Sequence, residues 1–307
     1  MKHTFEISRE ELNVEWSVVC GQTFRWTYSD TNGWHTTLFD SVSHQNVFLG
    51  IRQTDDRLLV TSNSITCIDL LRSYFRLDTT LAEAYDLFGG SRTPLLSHAF
   101  QKFSGLRVLR QDPVECLFSF ICTSAAPLHR IRKSVMGICE LYGETVPGSP
   151  TAIYAFPTVE RLAAASDPDL RMVGLGYRAK FIVQAAREIN QRGGEPWLRS
   201  LRTVTYSDAK RALMELTGVG DKIADCVCLF ALDKDEAVPV DTHVRRLVVR
   251  DYAVAIDGSR SIPSNADIAT AFRAVHTNMA GWAQQYLFFA ELYERGSWGS
   301  YVKLCSQ

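Results

Sequence analysis

Residues Leu216–Arg246 read LTGVGDKIADCVCLFALDKDEAVPVDTHVRR, and this stretch decides both the fold and the chemistry. Gly218 and Gly220 flank Val219, and glycine lets a backbone bend tightly and approach another molecule closely. Upstream, Ser207–Leu216 has a capping residue and the apolar spacing of a short helix. Downstream, Ile223, Ala224, Val227, Leu229 and Phe230 predict a second helix, apolar on most sides and therefore buried. The unit is a helix-hairpin-helix over about 207–232. Its turn presents free N–H groups at a helix N-terminus, a natural seat for a phosphate.

Lys222 falls in the first turn of the second helix. A solvated lysine has a pKa of about 10.4 and is a poor nucleophile. The positive end of a helix dipole and desolvation by apolar neighbours both favour the neutral amine. Such an amine could attack an electrophilic sugar carbon and form a Schiff base. The alternative is an ordinary solvated lysine, for which the first turn of an apolar helix is an unfavourable place. Asp241 follows Val238-Pro239-Val240 and precedes Thr242-His243-Val244, where an N-cap would stand. The loop Asp233–Val240 is long enough to return the chain toward the amine. Alone, Asp241 reads as a cap. Paired with Lys222, it reads as a group that takes the amine's proton or stabilises a cationic sugar.

The chain has 307 residues and a formal net charge of −1, so it offers no broad basic surface of the kind that attracts an anionic polymer. A local face would have to serve: Arg107, Arg110, Arg130, Arg132 and Lys133 on one segment, Arg245 and Arg246 on another. Such clusters are equally ordinary solvated helix faces. Eight cysteines are scattered, several in apolar runs (Cys67, Cys116, Cys122, Cys139, Cys228), as expected of buried thiols in a reducing compartment. Cys226-Val-Cys228 has no matching second pair and only Cys305 follows, which argues against zinc and a four-cysteine iron–sulfur loop. No metal or cofactor is expected. The N-terminus shows neither an apolar signal core nor an Arg-rich presequence, and no run is long enough to span a membrane. An intracellular protein is expected, in the cytoplasm and nucleoid of a prokaryote or the nucleus of a eukaryote.

Residues 1 to about 62 alternate as strands do: Thr23–Tyr28, Trp34–Phe39, Val47–Ile51 and Leu58–Thr61, with a hairpin turn at Asp30–Gly33. Ser64–Leu77 and Thr80–Phe88 read as helices, Gly89-Gly90 as a break, and a domain boundary is expected near residue 98. Beyond it the pattern is helical. Asp112-Pro113-Val114-Glu115 combines a cap, an N1 proline and an acid at N3, and Pro127 reads as the start of the next helix. Thr158, Ser166 and Ser207 are further caps, and Gly143–Thr151 separates helices. The expected class is α+β: an antiparallel β domain (1–98), then two α-helical subdomains (99–307), with Lys222 and Asp241 in the cleft between them. The aromatic C-terminal run Trp282, Tyr286, Phe288, Phe289 and Tyr293 reads mostly as core.

Five separated blocks bear a resemblance: Gly21–Trp26, Leu109–Cys122, Gly174–Ala179, the hairpin with Asp241, and Ala280–Gln284. Together they resemble the eukaryotic-type 8-oxoguanine DNA glycosylases of the helix-hairpin-helix superfamily. The resemblance implies a bifunctional glycosylase/AP lyase that flips 8-oxoguanine out of double-stranded DNA, works as a monomer without cofactor, and needs no membrane. It makes Lys222 the Schiff-base nucleophile and Asp241 the catalytic carboxylate. Gly21 would accept the N7 hydrogen that 8-oxoguanine has and guanine lacks. Cys226 and Phe288 would sandwich the flipped base, and Gln284, one helical turn before Phe288, would read its Watson–Crick edge. Gly218, Gly220 and His243 would contact phosphate. Tyr177 would wedge at the vacated site, with Arg130 and Arg178 reading the orphaned cytosine. After Cys122 the family usually carries asparagines, whereas this chain has Thr123-Ser124-Ala125-Ala126-Pro127, so a weaker preference for cytosine is expected. Two alternatives stay open: excision of another damaged purine, formamidopyrimidine or alkylated, and a non-catalytic DNA-binding module.

Overall fold

The computed structural model describes residues 1–87, 93–149, 152–251 and 264–306. Its N-terminal part is one antiparallel sheet in the order β1-β5-β4-β3-β2. The strands are β1 (Lys2–Glu6), β2 (Thr27–Ser29), β3 (Gly33–Asp40), β4 (Gln45–Gln53) and β5 (Arg57–Ser62). The turn expected at Asp30–Gly33 closes β2 onto β3, with Ser29 paired to Gly33. In β5, Leu58, Val60 and Ser62 are buried while Arg57 and Leu59 are exposed, the alternation of a sheet covered on one face.

Two expectations for this region are corrected. The strand expected over Thr23–Tyr28 is confined to its last residues, because Thr23–Trp26 are all at most 4 % exposed and cannot alternate between core and solvent. Arg25 accounts for part of this burial: it donates to the Thr37 carbonyl at 2.7 Å and stands 3.4 Å from Glu115. The second correction is a helix, α1 (Val14–Val19), in a region assigned to strands. Asn13 starts it by accepting from Trp16 N at 3.1 Å.

After the sheet come α2 (Cys67–Tyr74), α3 (Leu81–Leu87) and α4 (Pro94–Lys102). The first two fall within the expected helices. The expected boundary near residue 98 lies within α4, and Phe88, Gly89 and Gly90 lie outside the described residues. The helical region continues with α5 (Pro113–Ile121), α6 (Leu128–Tyr142), α7 (Val159–Ala163), α8 (Asp167–Met172), α9 (Arg178–Gln191) and α10 (Glu195–Ser200). The hairpin pair follows, α11 (Tyr206–Met214) and α12 (Asp221–Ala231), then α13 (Thr242–Asp251) and α14 (Asn265–His276). A 3₁₀ turn at Thr277–Met279 leads into α15 (Ala280–Glu294) and α16 (Ser297–Cys305). Within the expected separator Gly143–Thr151, Pro150 and Thr151 lie outside the described residues.

Asp112 caps α5 by accepting from Val114 N and Glu115 N, and Thr158 and Ser166 cap α7 and α8. Glu115 turns to Arg25 instead of closing a capping box. Ser207 is not the cap of α11. Thr205 takes that role, accepting from Asp208 N at 3.2 Å, and Ser207 lies inside the helix.

One apolar cluster runs from Trp26 and Ile51 on the sheet side to Leu229 and Phe289 among the helices. At its centre α12 packs on α5: Ile223 through Ala231 are all buried, and Phe120 and Phe230 stack at 5.6 Å. The chain after α12 is fixed by Asp235, which takes a two-pronged ion pair from Arg76 (2.6 and 2.9 Å) and a hydrogen bond from the Trp282 indole (3.0 Å). Its carbonyl accepts from Gly281 N at 2.7 Å. A Cβ on Gly281 would stand 2.4 Å from Leu229 Cδ1 and 2.5 Å from the Ala237 carbonyl oxygen. Gly281→Ala is therefore expected to lower stability by about 1–3 kcal/mol, measured as a lower urea midpoint with unchanged slope.

Candidate active site

The hairpin sequence folds as a close approach of three elements. Gly218 has φ +83°, and a Cβ there would meet Phe181 Cβ at 2.6 Å. Glycine is thus required both by the turn and by the side chain of α9 that packs on it. The amides of Gly218 and Gly220 donate to no protein acceptor among the described residues, so the turn keeps donors for an anion. Asp221 would weaken that seat, but Lys210 stands 3.1 Å from Asp221 and 3.0 Å from the buried Asp225. Tyr206 also donates to Asp225 at 2.6 Å, so burial raises this carboxyl's pKa while its partners oppose the rise.

Lys222 emerges one residue into α12, half-buried, and faces a cleft of about 720 Å³. The walls of this cleft include Asp241, His243, Gly218, Gly220 and the loop Thr123–Ala126. Lys222 Nζ donates to Thr123 Oγ1 at 3.1 Å and lies 4.9 Å from the centre of the Phe120 ring. The amine therefore rests on a hydroxyl and an aromatic face. Asp241 Oδ1 accepts from His243 N and Val244 N, both at 2.8 Å, which caps α13 and leaves Oδ2 for the cleft. No ion pair within 4.0 Å joins Lys222 to Asp241.

Of the residues expected around a flipped base, Phe288 and Cys226 touch the walls of this cleft, through His243 and Lys222 respectively. Gly21 has φ +86°, and a Cβ there would come 3.2 Å from Phe288 Cε1. Phe288 in turn meets the His243 ring edge-on at 6.0 Å, linking the Gly21 side to the cleft wall. Cys226 follows Lys222 by one helical turn and is fully buried, and burial pushes its thiol up to about 12, with Lys222 opposing. At neutral pH it is an uncharged face. Gln284 is 4 % exposed, and its Oε1 has no hydrogen-bond partner among the described residues. A buried acceptor left so costs about 1–3 kcal/mol, which a donor on a bound base would offset.

Tyr177 stands at the start of α9, 54 % exposed, and meets Phe181 edge-on at 5.7 Å. Arg130 is exposed in the first turn of α6. Arg178 departs from expectation. It is buried, and its guanidinium donates to the carbonyls of Leu175 (2.9 Å), Cys122 (3.0 Å), Ser124 (2.8 Å) and Gly174 (3.3 Å). With four of its five N–H donors on backbone carbonyls, it braces the cleft loop against the turn before α9.

The expected basic face is also smaller. Arg107 is 1 % exposed and bonded to the carbonyls of Glu11, Arg76 and Thr79. Arg132 is bonded to those of Phe24 and Trp26, and Arg110 is paired with Asp233 and Asp78. Burial rules out Arg107 and Arg132 as phosphate contacts, and the half-buried Arg110 is already held by its two carboxylates. Arg130, Lys133 and Arg246 remain exposed, and Arg245 lines the cleft beside its partner Asn265. Sequence reasoning missed Thr123 and Phe120 as supports of the amine. It also missed Arg76, Asp235 and Trp282 as the anchor of the loop to Asp241. No local signal in the sequence links Asp235 to Arg76 or to Trp282, which lie far from it along the chain.

The chain matches the family model described as the N-terminal domain of 8-oxoguanine DNA glycosylase over residues 4–117. Over residues 118–264 it matches that of the HhH-GPD superfamily of base excision DNA repair proteins. It is 34 % identical to the N-glycosylase/DNA lyase OGG1 of Arabidopsis thaliana, covering 94 % of this chain and 79 % of that one. It is 32 % identical to the N-glycosylase/DNA lyase of Saccharomyces cerevisiae, covering 93 % and 85 %. Among solved structures, the Clostridium acetobutylicum 8-oxoguanine glycosylase/lyase, in complex with double-stranded DNA containing cytosine opposite 8-oxoguanine, superposes with a TM-score of 0.79. It shares 26 % identity over 96 % of this chain and 98 % of that one. Two adjoining family models, two relatives matched over more than nine-tenths of this chain and the shared fold agree: the chain belongs to the 8-oxoguanine DNA glycosylase family.

Proposed function

We infer that this protein is a bifunctional DNA glycosylase and AP lyase that removes 8-oxoguanine from duplex DNA in base excision repair. The observation that carries the mechanism is the single cleft lined by both Lys222 and Asp241. A base stacked in a duplex cannot enter it, so the nucleotide must swing out. The hairpin amides and His243 serve as phosphate contacts, and Tyr177 fills the vacated step. Gly21 selects the base: its carbonyl accepts N7–H of 8-oxoguanine, whereas the lone pair on guanine N7 would leave that acceptor unpaired.

In the chemical step the lone pair of Lys222 Nζ forms a bond to C1′. The bond from C1′ to the base breaks, and its electron pair leaves with the base. Asp241 Oδ2 lies free of the helix cap and stabilises the positive charge that develops on the sugar. The ring then opens: the nitrogen lone pair forms the C1′–N double bond, the C1′–O4′ electron pair goes to O4′, and a proton passes from nitrogen to O4′, giving a protonated imine. The imine acidifies the neighbouring C2′–H; water takes that proton, the C–H electron pair becomes the C2′–C3′ double bond, and the 3′ phosphate leaves with the C3′–O pair, nicking the strand. All the residues used come from one chain, which supports action as a monomer. Work on genomic DNA would place the protein in the nucleoid or the nucleus.

Borohydride is expected to trap the wild-type protein covalently on an 8-oxoguanine duplex, and Lys222→Gln to abolish the adduct in a denaturing gel. A panel of single-lesion duplexes tests the substrate: faster excision of a formamidopyrimidine or alkylated purine than of 8-oxoguanine would reassign it.

Opposite-base choice rests on fewer groups than the family pattern supplies. Ala125 offers no hydrogen bond, and Arg178 is engaged with carbonyls, leaving Arg130. Ala125 also has φ +51°, a left-handed conformation that costs an alanine about 1–2 kcal/mol and suits asparagine better. Ala125→Asn is expected to raise the thermal midpoint and to increase the ratio of excision rates opposite cytosine and adenine. An unchanged ratio would show that this position does not read the partner base.

A further inference from the structure

We propose that Thr123 is a positioning residue for the nucleophile: its hydroxyl, fixed as an acceptor, aims the Lys222 amine into the cleft. The proposal rests on the reading of Lys222 as nucleophile given above.

The Thr123 hydroxyl donates its own proton to the Phe120 carbonyl at 2.7 Å. That commitment fixes the rotor and leaves lone pairs for Lys222 Nζ at 3.1 Å. Thr123 Oγ1 is the only oxygen that accepts from this amine among the described residues. The other groups near it do different work. Asp241 has one oxygen bound to the cap of α13, and Cys226 is a buried thiol that burial keeps protonated. The Phe120 ring supports the nitrogen at 4.9 Å but gives it no direction about its own axis.

The anchor is itself held. Arg178 donates to the carbonyls of Cys122 and Ser124, the residues on either side of Thr123. Thr123 is thus clamped between two pinned peptide groups, and a long, flexible lysine side chain gains one preferred end point. A hydroxyl suits the task because it accepts equally from an amine and from the N–H of a protonated imine. The contact can therefore persist from attack to elimination. Orienting a reacting atom in this way lowers the entropic part of a barrier without changing how tightly the substrate is held.

The full-length protein tests the proposal in single-turnover reactions on two duplexes, one carrying 8-oxoguanine opposite cytosine and one carrying a preformed abasic site. Thr123→Val, which removes the acceptor and keeps the shape, is expected to slow both reactions by about tenfold or more while DNA affinity stays within about twofold. Borohydride trapping should fall in parallel. Thr123→Ser keeps the hydroxyl and is expected to restore both rates to within about threefold of wild type. Wild-type rates in Thr123→Val, or a serine variant as slow as the valine one, would overturn the proposal. So would slowed base excision with strand nicking at the abasic site intact, which would assign Thr123 to the base pocket. If Thr123→Val does not fold, Thr123→Ala against Thr123→Ser gives the same comparison. Lys222→Gln runs alongside: an adduct that survives that change overturns the assignment of the nucleophile, a failure distinct from that of Thr123.

Discussion

The site depends on the burial of α12 against α5. Nine consecutive residues, Ile223 to Ala231, lie inside the core, so the helix has no freedom to slide or rotate on its neighbours. Its first turn alone leaves the core, and Gly220, Asp221 and Lys222 emerge there. The stacked Phe120 and Phe230 rings hold the two helices in register, and the same Phe120 ring lies beneath the amine. Packing and chemistry therefore share a side chain: what fixes the helix also fixes the nitrogen.

The carboxylate arrives by a separate route. The chain leaves α12 into a loop that apolar burial alone would not shape. Its conformation comes from Asp235, held by Arg76 at the end of α2 and by the indole of Trp282 in α15. Breaking one partner of such a pair strands the other charge, so the loop is stiff for an electrostatic reason. Its last residue, Asp241, then meets two amides of α13. Amine and carboxylate are thus located by independent supports that converge on one cleft and need no ion pair with each other.

Much of this was legible in the sequence because the signals were local. Asp112-Pro113 and Thr158 announce helix starts through bonds to amides two or three residues on, and Asp241 does the same. The glycine turn and the lysine after it follow from short-range rules as well. What escaped the sequence is what depends on distant partners. Arg107, Arg132 and Arg178 look like any surface arginine until the carbonyls that surround them are known. Thr123 acquires meaning only from Lys222, ninety-nine residues away. Thr23–Trp26 keep the apolar alternation of a strand because an internal arginine, Arg25, occupies a polar-looking position while being buried. Thr205 and Ser207 are both good caps two residues apart, and local rules alone do not choose between them.

The contact of Gly218 with Phe181, and of Phe181 with Tyr177, has a mechanical consequence. On the function proposed above, the turn that would seat a phosphate and the ring that would enter the duplex rest on one side chain, with no room between glycine and phenylalanine for even a methyl group. Their separation is therefore a fixed gauge built into the protein. On that proposal, DNA gripped at one end of the gauge would have to adapt its stacking to the other, so the strain of opening the duplex would fall on the nucleic acid and spare the enzyme.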